Sequence, residues 1–158
     1  MTLIREMRAD EYPLLDDFLY EAIFIPEGEE KPPRSIIEQP DLRVYVAGWG
    51  KPDDCAVVAE VDGKVIGAAW GRIMDDYGHV GDETPSIAIA LYEEYRGCGI
   101  GTKLLDALLQ LLRTKGYELV SLSVQKENFA HKMYRKAGFR VVDETAEEFV
   151  MVRDLIAR

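Results

Sequence analysis

A cluster of glycines between an apolar run and a leucine-rich stretch constrains this fold more than any other sequence feature. In "YEEYRGCGIGTKLLDALL", residues 92–109, Gly97, Gly99 and Gly101 occupy three of five positions. Glycine accepts backbone dihedrals that other residues avoid, and its missing side chain lets a ligand reach the main chain. The first amides of a helix lack intrahelical partners and carry a partial positive charge. The pattern therefore predicts a strand-to-helix turn that binds an anion, and a purely structural turn is the alternative.

Two common phosphate-binding patterns do not fit this turn. A P-loop requires lysine directly after its last glycine, but Thr102 follows Gly101 and Lys103 comes one position late. A dinucleotide fingerprint requires a third glycine, which neither possible register supplies. The remaining pattern is RxxGxG, formed by Arg96, Gly99 and Gly101. A plain nucleotide-binding domain is thereby disfavoured.

Before the glycine cluster, the sequence alternates between strand and helix patterns. "TLIREM" predicts a first strand, and Asp10 is expected to cap the helix that follows it. Phe24 heads a Pro/Gly/Glu loop and is interpreted as part of a lid or pocket wall, or as a loop anchor. Two β-rich runs joined by Asp62 and Gly63 predict a hairpin.

After the glycine cluster, a leucine stripe predicts a helix that Gly116 ends, and "YELVSLSV" predicts a central strand. Asn128 is expected to cap a helix that ends at Gly138, before two final strands. The sequence contains no repeat or linker, so one domain over residues 1–158 is predicted. Its class is α/β (α+β), with helices covering a sheet of six or seven strands.

Charge and composition exclude several function classes. The formal charge of −10 argues against nucleic acid, which requires a basic surface. No apolar run is long enough to cross a membrane, and two isolated cysteines fit a reducing compartment, so a cytoplasmic protein is expected. Neither the cysteines nor the histidines have metal-ligand spacing, so no metal site is predicted.

Two segments together resemble the GNAT superfamily of acetyl-CoA-dependent N-acetyltransferases. "IALYEEYRGCGIGTKLLDALL" is similar to its motif A, with the signature [Q/R]xxGx[G/A] at a strand-to-helix turn. "SLSVQKENFAHKMYRKAGF" resembles the following segment: a strand, Asn128, Tyr134 six residues later, and a Gly-Phe pair. The resemblance implies a mostly antiparallel mixed sheet with a splayed central strand pair and about four flanking helices. Glu93 is a departure, since many relatives have proline there.

The resemblance also implies acetyl-CoA as cosubstrate and assigns residues to it. Amides of the 96–102 turn would hold the pyrophosphate, the strand at Ile89 and Leu91 would pair with the pantetheine arm, and Asn128 would hydrogen-bond that arm. The residues implied to bind the cosubstrate are Ile89, Leu91, Arg96, Gly97, Cys98, Gly99, Ile100, Gly101, Thr102, Asn128 and Tyr134.

Catalysis is expected as direct attack of a primary amine on the thioester in a ternary complex. Tyr134 is implied as the acid that protonates the leaving thiolate, whereas its helical spacing alone would favour a core tyrosine. An ammonium must first lose a proton, and Glu83 is the first base to consider, followed by Glu27 and Asp82. No spacing rule selects among these carboxylates.

The sequence does not identify the amine that accepts the acetyl group. Acidic residues concentrate outside residues 96–136, which favours a cationic acceptor such as a polyamine, an aminoglycoside-like amine, a lysine side chain or a peptide N-terminus. Several aromatic residues could instead line a pocket for an amino acid or aromatic amine: Phe24, Tyr45, Trp49, Trp70 and Tyr77. A non-catalytic acyl-CoA sensor of the same fold is the alternative function. The family contains many dimers, so a homodimer is an open alternative to a monomer.

Overall fold

A computed structural model describes residues 1–156, which form seven strands and four α-helices. The strands are β1 (Thr2–Glu6), β2 (Cys55–Val61), β3 (Lys64–Arg72), β4 (Ser86–Leu91), β5 (Leu119–Gln125), β6 (Arg140–Glu144) and β7 (Glu148–Asp154). The helices are α1 (Leu14–Glu21), α2 (Pro40–Arg43), α3 (Ile100–Thr114) and α4 (Ala130–Lys136). Short 3-10 turns cover Ala9–Glu11, Arg34–Glu38 and Glu93–Tyr95.

The strands form one sheet in the order β1-β2-β3-β4-β5-β7-β6. Neighbours run antiparallel except β4 and β5, which are parallel and pair only at Ser86 and Ser121. Beyond that pair the two strands separate, so their facing edges carry backbone groups without a strand partner. The predicted mixed sheet of six or seven strands with a splayed central pair is confirmed.

Alternation along the strands gives the sheet two apolar faces. On one face, residues such as Val57 and Leu122 pack with the leucine stripe of α3 and with α4. On the other face, Val58 and Trp70 pack with α1 and the segment around α2. Fully buried leucines of α3, including Leu104 and Leu108, fill the first core. The splayed strands therefore lie between two helical layers.

Backbone conformation supports most of the predicted element boundaries. Asp62 and Gly63 join β2 to β3 with φ values of 51° and 80°, as a tight hairpin requires. Gly116 follows α3 with a φ of 93°, which ends the helix. The expected cap at Asp10 is wrong. Asp10 lies in the 3-10 turn, and α1 begins at Leu14 because the fixed φ of Pro13 suits a first helical turn.

No helix within residues 1–156 combines the length and apolar character that crossing a lipid bilayer demands.

Candidate active site

The glycine turn presents unpaired backbone amides at the start of α3. Gly97 and Gly99 have left-handed φ values of 78° and 82°, and Gly99 is the N-cap of the helix. The first backbone hydrogen bond of the helix runs from the Lys103 amide to the Gly99 carbonyl, at 3.4 Å. Within the described residues, the amides of 97–102 donate to no acceptor. The turn is therefore a concentration of free N–H donors at the positive end of a helix dipole.

The space in front of these amides is open. A Cβ atom added at Gly97 or Gly99 would meet no atom within 4 Å. Gly101 differs, because its Cβ would contact Met133 Sδ at 3.7 Å and Leu91 Cδ1 at 3.8 Å. Two of the glycines therefore border a volume that can admit an anion, while the third faces the packing between α3, α4 and β4.

Arg96 joins structural elements beside the turn. Its Nε donates to the Leu91 carbonyl at 3.0 Å, and its Nη2 donates to the Glu21 carbonyl at 3.1 Å. The guanidinium thus ties the end of β4 to the end of α1. Cys98 is exposed, and its Sγ lies 3.7 Å from the Arg96 carbonyl. Both side chains support the turn, and the Arg96 side chain remains half-exposed beside it.

The separated edge of β4 offers backbone groups to an extended ligand. The Ser121 amide donates to the Pro85 carbonyl at 3.0 Å, which identifies the edge that faces β5. Because main-chain groups alternate between the two edges of a strand, those of Ile89 and Leu91 also point into the gap. Arg96 already uses the Leu91 carbonyl. Within residues 1–156, the N–H and C=O of Ile89 have no hydrogen-bond partner, so they can pair with a ligand.

Asn128 and Tyr134 lie on the segment that follows β5. The Asn128 Oδ1 accepts from the amide of Ala130, the first residue of α4, at 2.9 Å. The N-cap position itself is Phe129, so the expected cap at Asn128 lies one residue before the observed one. The Asn128 NH2 makes no hydrogen bond within the described residues. Tyr134 is buried with its ring edge-on to Phe139, the centroids being 5.7 Å apart. Burial raises the pKa of Tyr134 to about 12, and its hydroxyl likewise has no partner within residues 1–156.

A cavity of about 430 Å³ opens beyond the end of β5. It is formed by the loop after α1, the end of β5 and the hairpin between β6 and β7; the lining residues are Phe24, Pro26, Glu29, Gln125, Lys126, Glu127, Ala146 and Glu147. The predicted pocket wall at Phe24 is therefore observed. Lys126 pairs with Glu144 at 2.5 Å. The three glutamates of the lining have no such partner in the described chain, so the cavity is acidic.

The structure does not gather the five aromatic residues that were considered for an aromatic pocket. Phe24 lines the cavity, but Trp70 is fully buried in the core and donates to the Tyr45 carbonyl at 3.2 Å. Trp49 stacks on the Arg72 guanidinium, and Tyr77 donates to the Asp41 carboxylate. These side chains are used in packing and loop anchoring, so the aromatic-pocket interpretation is not supported.

The carboxylates proposed as bases lie on exposed loops. Glu83, Glu27 and Asp82 are all exposed, and among these three only Asp82 has a nitrogen within ion-pair distance in the described chain, His79 Nε2 at 3.4 Å. Sequence reasoning missed Asp76, a half-buried carboxyl whose Oδ1 accepts from Ser86 Oγ at 2.8 Å. Burial raises the pKa of Asp76 above its ordinary value. A polar residue in a loop gives no sequence signal for burial, because its cover comes from distant segments.

Comparisons with known proteins agree with the fold. Over 62 residues the chain is 40% identical to a [ribosomal protein bS18]-alanine N-acetyltransferase of Haemophilus influenzae, covering 39% of this chain and 42% of that protein. Over 114 residues it is 30% identical to a mycothiol acetyltransferase of Propionibacterium freudenreichii, covering 70% of this chain and 36% of that protein. The chain thus spans well under two thirds of the length of these curated relatives.

Solved structures share the fold at low sequence identity. A PaiA N-acetyltransferase of Thermoplasma acidophilum in complex with coenzyme A matches with a TM-score of 0.71 and 22% identity, over 98% of this chain and 99% of that one. The ribosomal-protein-S18-alanine N-acetyltransferase of Escherichia coli matches with a TM-score of 0.69 and 16% identity, over 100% and 96%. The sequence pattern of the acetyltransferase (GNAT) family matches residues 5–139. The chain therefore belongs to the acetyltransferase (GNAT) family.

Proposed function

We propose that this protein is an N-acetyltransferase that moves the acetyl group of acetyl-CoA to a primary amine by direct attack in a ternary complex. The observation that carries the proposal is the row of unpaired amides at residues 97–102, placed where the gap between β4 and β5 opens. An anion held there has an extended slot beside it. Family membership supports acetyl-CoA as the ligand, since the matched Thermoplasma acidophilum protein was solved with coenzyme A.

The arrangement suits each part of that cosubstrate. The free amides and the open space at Gly97 and Gly99 accommodate a pyrophosphate. The free backbone groups of Ile89 can pair with an amide of the pantetheine arm as an added strand would. On the opposite side, the free NH2 of Asn128 can donate to a carbonyl of the same arm. The gap can therefore hold the pantetheine arm alongside β4, with the thioester between the two strands.

Tyr134 is proposed to assist departure of the thiolate. At neutral pH the hydroxyl keeps its proton, because burial raises its pKa to about 12. Complete transfer to a thiolate with a pKa of about 8.5 would cost roughly 5 kcal/mol, at 1.36 kcal/mol per pKa unit. We therefore assign Tyr134 to hydrogen bonding: its hydroxyl keeps its proton and donates a hydrogen bond to the leaving sulfur, and the thiolate takes up the proton that the attacking nitrogen loses. The C–N bond forms as the C–S bond breaks.

The acidic cavity is proposed to hold the acceptor. Glu29, Glu127 and Glu147 surround it, while the charge of Lys126 is offset by Glu144. This balance favours a cationic small amine or a peptide or protein amine over a neutral acceptor. The relatives do not select one class, because their names include a ribosomal protein alanine N-acetyltransferase and a mycothiol acetyltransferase.

A thiol-release assay tests the proposed function. The protein and acetyl-CoA are mixed with polyamines, amino acids, aminoglycosides or peptides with free N-termini, and CoA binding is measured in parallel by calorimetry. We expect CoA to bind and thiol to be released with at least one class of cationic amine. CoA binding without release from any acceptor would contradict the proposal and favour an acyl-CoA sensor. Absence of CoA binding would contradict both functions.

A further inference from the structure

Asp76 lies at the closed end of the gap between β4 and β5. Its Oδ1 accepts from Ser86 Oγ at 2.8 Å, and Ser86 Oγ lies 3.2 Å from Ser121 Oγ. Ser86 and Ser121 form the single residue pair that joins the two strands, and both are fully buried. A carboxyl group is thereby fixed at the point where the strands begin to separate.

The loop between β3 and β4 is held against β5 at this point. A Cβ atom on Gly78 would lie 2.8 Å from the Leu122 carbonyl carbon and 2.9 Å from the Ser123 amide nitrogen, so the loop backbone crosses β5 in direct contact. Tyr77 anchors the same loop by donating to Asp41. The close crossing explains why Asp76 is half-buried although it belongs to a loop.

Polar groups connect Asp76 with the acidic cavity along one face of β5. The Tyr45 hydroxyl lies near the side chains of both Asp76 and Ser123, although no hydrogen bond joins it to either within residues 1–156. Alternation places Ser123 and Gln125 on the same face, and Gln125 lines the cavity. Gln125 also donates to Glu148 at 3.4 Å. Polar side chains therefore line the face of β5 between Asp76 and the cavity, and water between them would complete a proton path from an acceptor amine to Asp76.

No basic side chain within residues 1–156 is paired with Asp76, so its carboxylate can take up a proton. Tyr45, on the segment after α2, is the titratable group nearest to it, and Glu148 on β7 lies beyond Tyr45. Within residues 1–156, no lysine, arginine or histidine forms an ion pair with Asp76, whereas the buried Asp54 is paired with Arg72. An unpaired carboxylate away from solvent gains from taking up a proton.

We propose that Asp76 is the proton acceptor for the substrate ammonium, an assignment that rests on the proposed acetyl transfer. One N–H bond of the ammonium breaks, an O–H bond forms on the Asp76 carboxyl, and the electron pair stays on nitrogen for attack on the thioester. Asp76 afterwards releases this proton to solvent. Burial raises its pKa toward that of the amine, which makes the transfer less costly than it would be to an exposed carboxylate.

The test compares Asp76→Asn with Asp75→Asn, a neighbouring exposed carboxyl. The acceptor is the amine that gives thiol release with the wild-type protein, and CoA titration verifies that each variant is folded. Asp76→Asn is expected to lower kcat/KM by about 100-fold or more at neutral pH, while Asp75→Asn changes it less than about twofold. The Asp76→Asn rate should rise tenfold per pH unit below the amine pKa, because only the free amine then reacts. The wild-type rate should be flat between the pKa of Asp76 and that of the amine, because the product of the ammonium and Asp76 carboxylate fractions is constant there.

A second variant keeps the carboxyl and changes its environment. The Ser86 hydroxyl lowers the pKa of Asp76, so Ser86→Ala should move the acid limb of the kcat/KM profile to higher pH. Equal activity of Asp76→Asn and Asp75→Asn, or an unmoved acid limb in Ser86→Ala, would overturn the role of Asp76 while the wild-type activity stands. A wild-type protein that transfers no acetyl group would instead refute the proposed function, and the role of Asp76 with it.

Discussion

Replacing Gly99 with valine tests whether the glycine turn binds the pyrophosphate of CoA. Its effect on CoA affinity can be measured separately from its effect on folding stability. Gly99 has a φ of 82°, and a Cβ there would meet no atom within 4 Å. The left-handed conformation costs a side-chain-bearing residue about 1–2 kcal/mol, so the variant should lose about that much unfolding free energy without a steric clash. The valine methyl groups would instead occupy the open space in front of the amides of residues 97–102.

The effect on CoA binding should be larger than the effect on folding. A hydrogen bond to a charged group contributes about 1.5–3 kcal/mol, so blocking two of the amides costs roughly 3–6 kcal/mol. At 1.4 kcal/mol per tenfold change in affinity, the CoA dissociation constant should rise by about 100-fold or more. Calorimetric titration with CoA measures this change, and denaturant unfolding measures stability.

Gly116→Val is the matched control. Gly116 lies at the other end of α3 with a φ of 93° and equally open surroundings. The Gly116→Val variant should lose a similar amount of unfolding free energy yet bind CoA with unchanged affinity. If Gly99→Val retained CoA affinity within a factor of about three, or if Gly116→Val lost it equally, the assignment of the pyrophosphate to this turn would be wrong.

Three further variants test other parts of the account. Tyr134→Phe removes the proposed hydrogen bond to the leaving thiolate and should lower turnover about tenfold or more with unchanged CoA affinity; unchanged turnover in the thiol-release assay would exclude that role. Glu127→Lys should raise KM for a cationic amine by about tenfold at low salt and less at high salt, whereas Glu118→Lys at the opposite end of β5 should not. Asp54→Ala leaves Arg72 buried without its carboxylate and should cost about 3–5 kcal/mol in urea unfolding. A loss below about 1 kcal/mol would show that the ion pair contributes little.

The sequence predicted an element boundary correctly where the residues at the boundary themselves determine the backbone conformation. The Asp62-Gly63 hairpin and the end of α3 at Gly116 follow from residues that accept positive φ. The cap at Asp10 failed although it has the preferred residue type, because Pro13 fixes where the first full helical turn can begin. A proline three residues after a candidate cap was the signal that could have corrected it.

The site was predictable only where it lies in one continuous segment. The glycine turn and Asn128 follow local patterns, since their dihedrals and hydrogen bonds involve residues close in sequence. Asp76 has no such pattern, since its burial depends on Ser86 and on a loop that crosses β5. The cavity likewise combines three separate segments around β5, so its acidity could be expected from the overall charge but not located.

Mass spectrometry of a single reaction tests the central claim most directly. The protein is incubated with acetyl-CoA and the amine that supports thiol release, and the mass of both the amine and the protein is measured. Direct transfer predicts one acetyl group on the amine, one CoA thiol released per acetylated amine, and no acetyl group on the protein. Thiol release without acetylated amine, or an acetyl group retained on Cys98 or any other residue during turnover, would contradict the account.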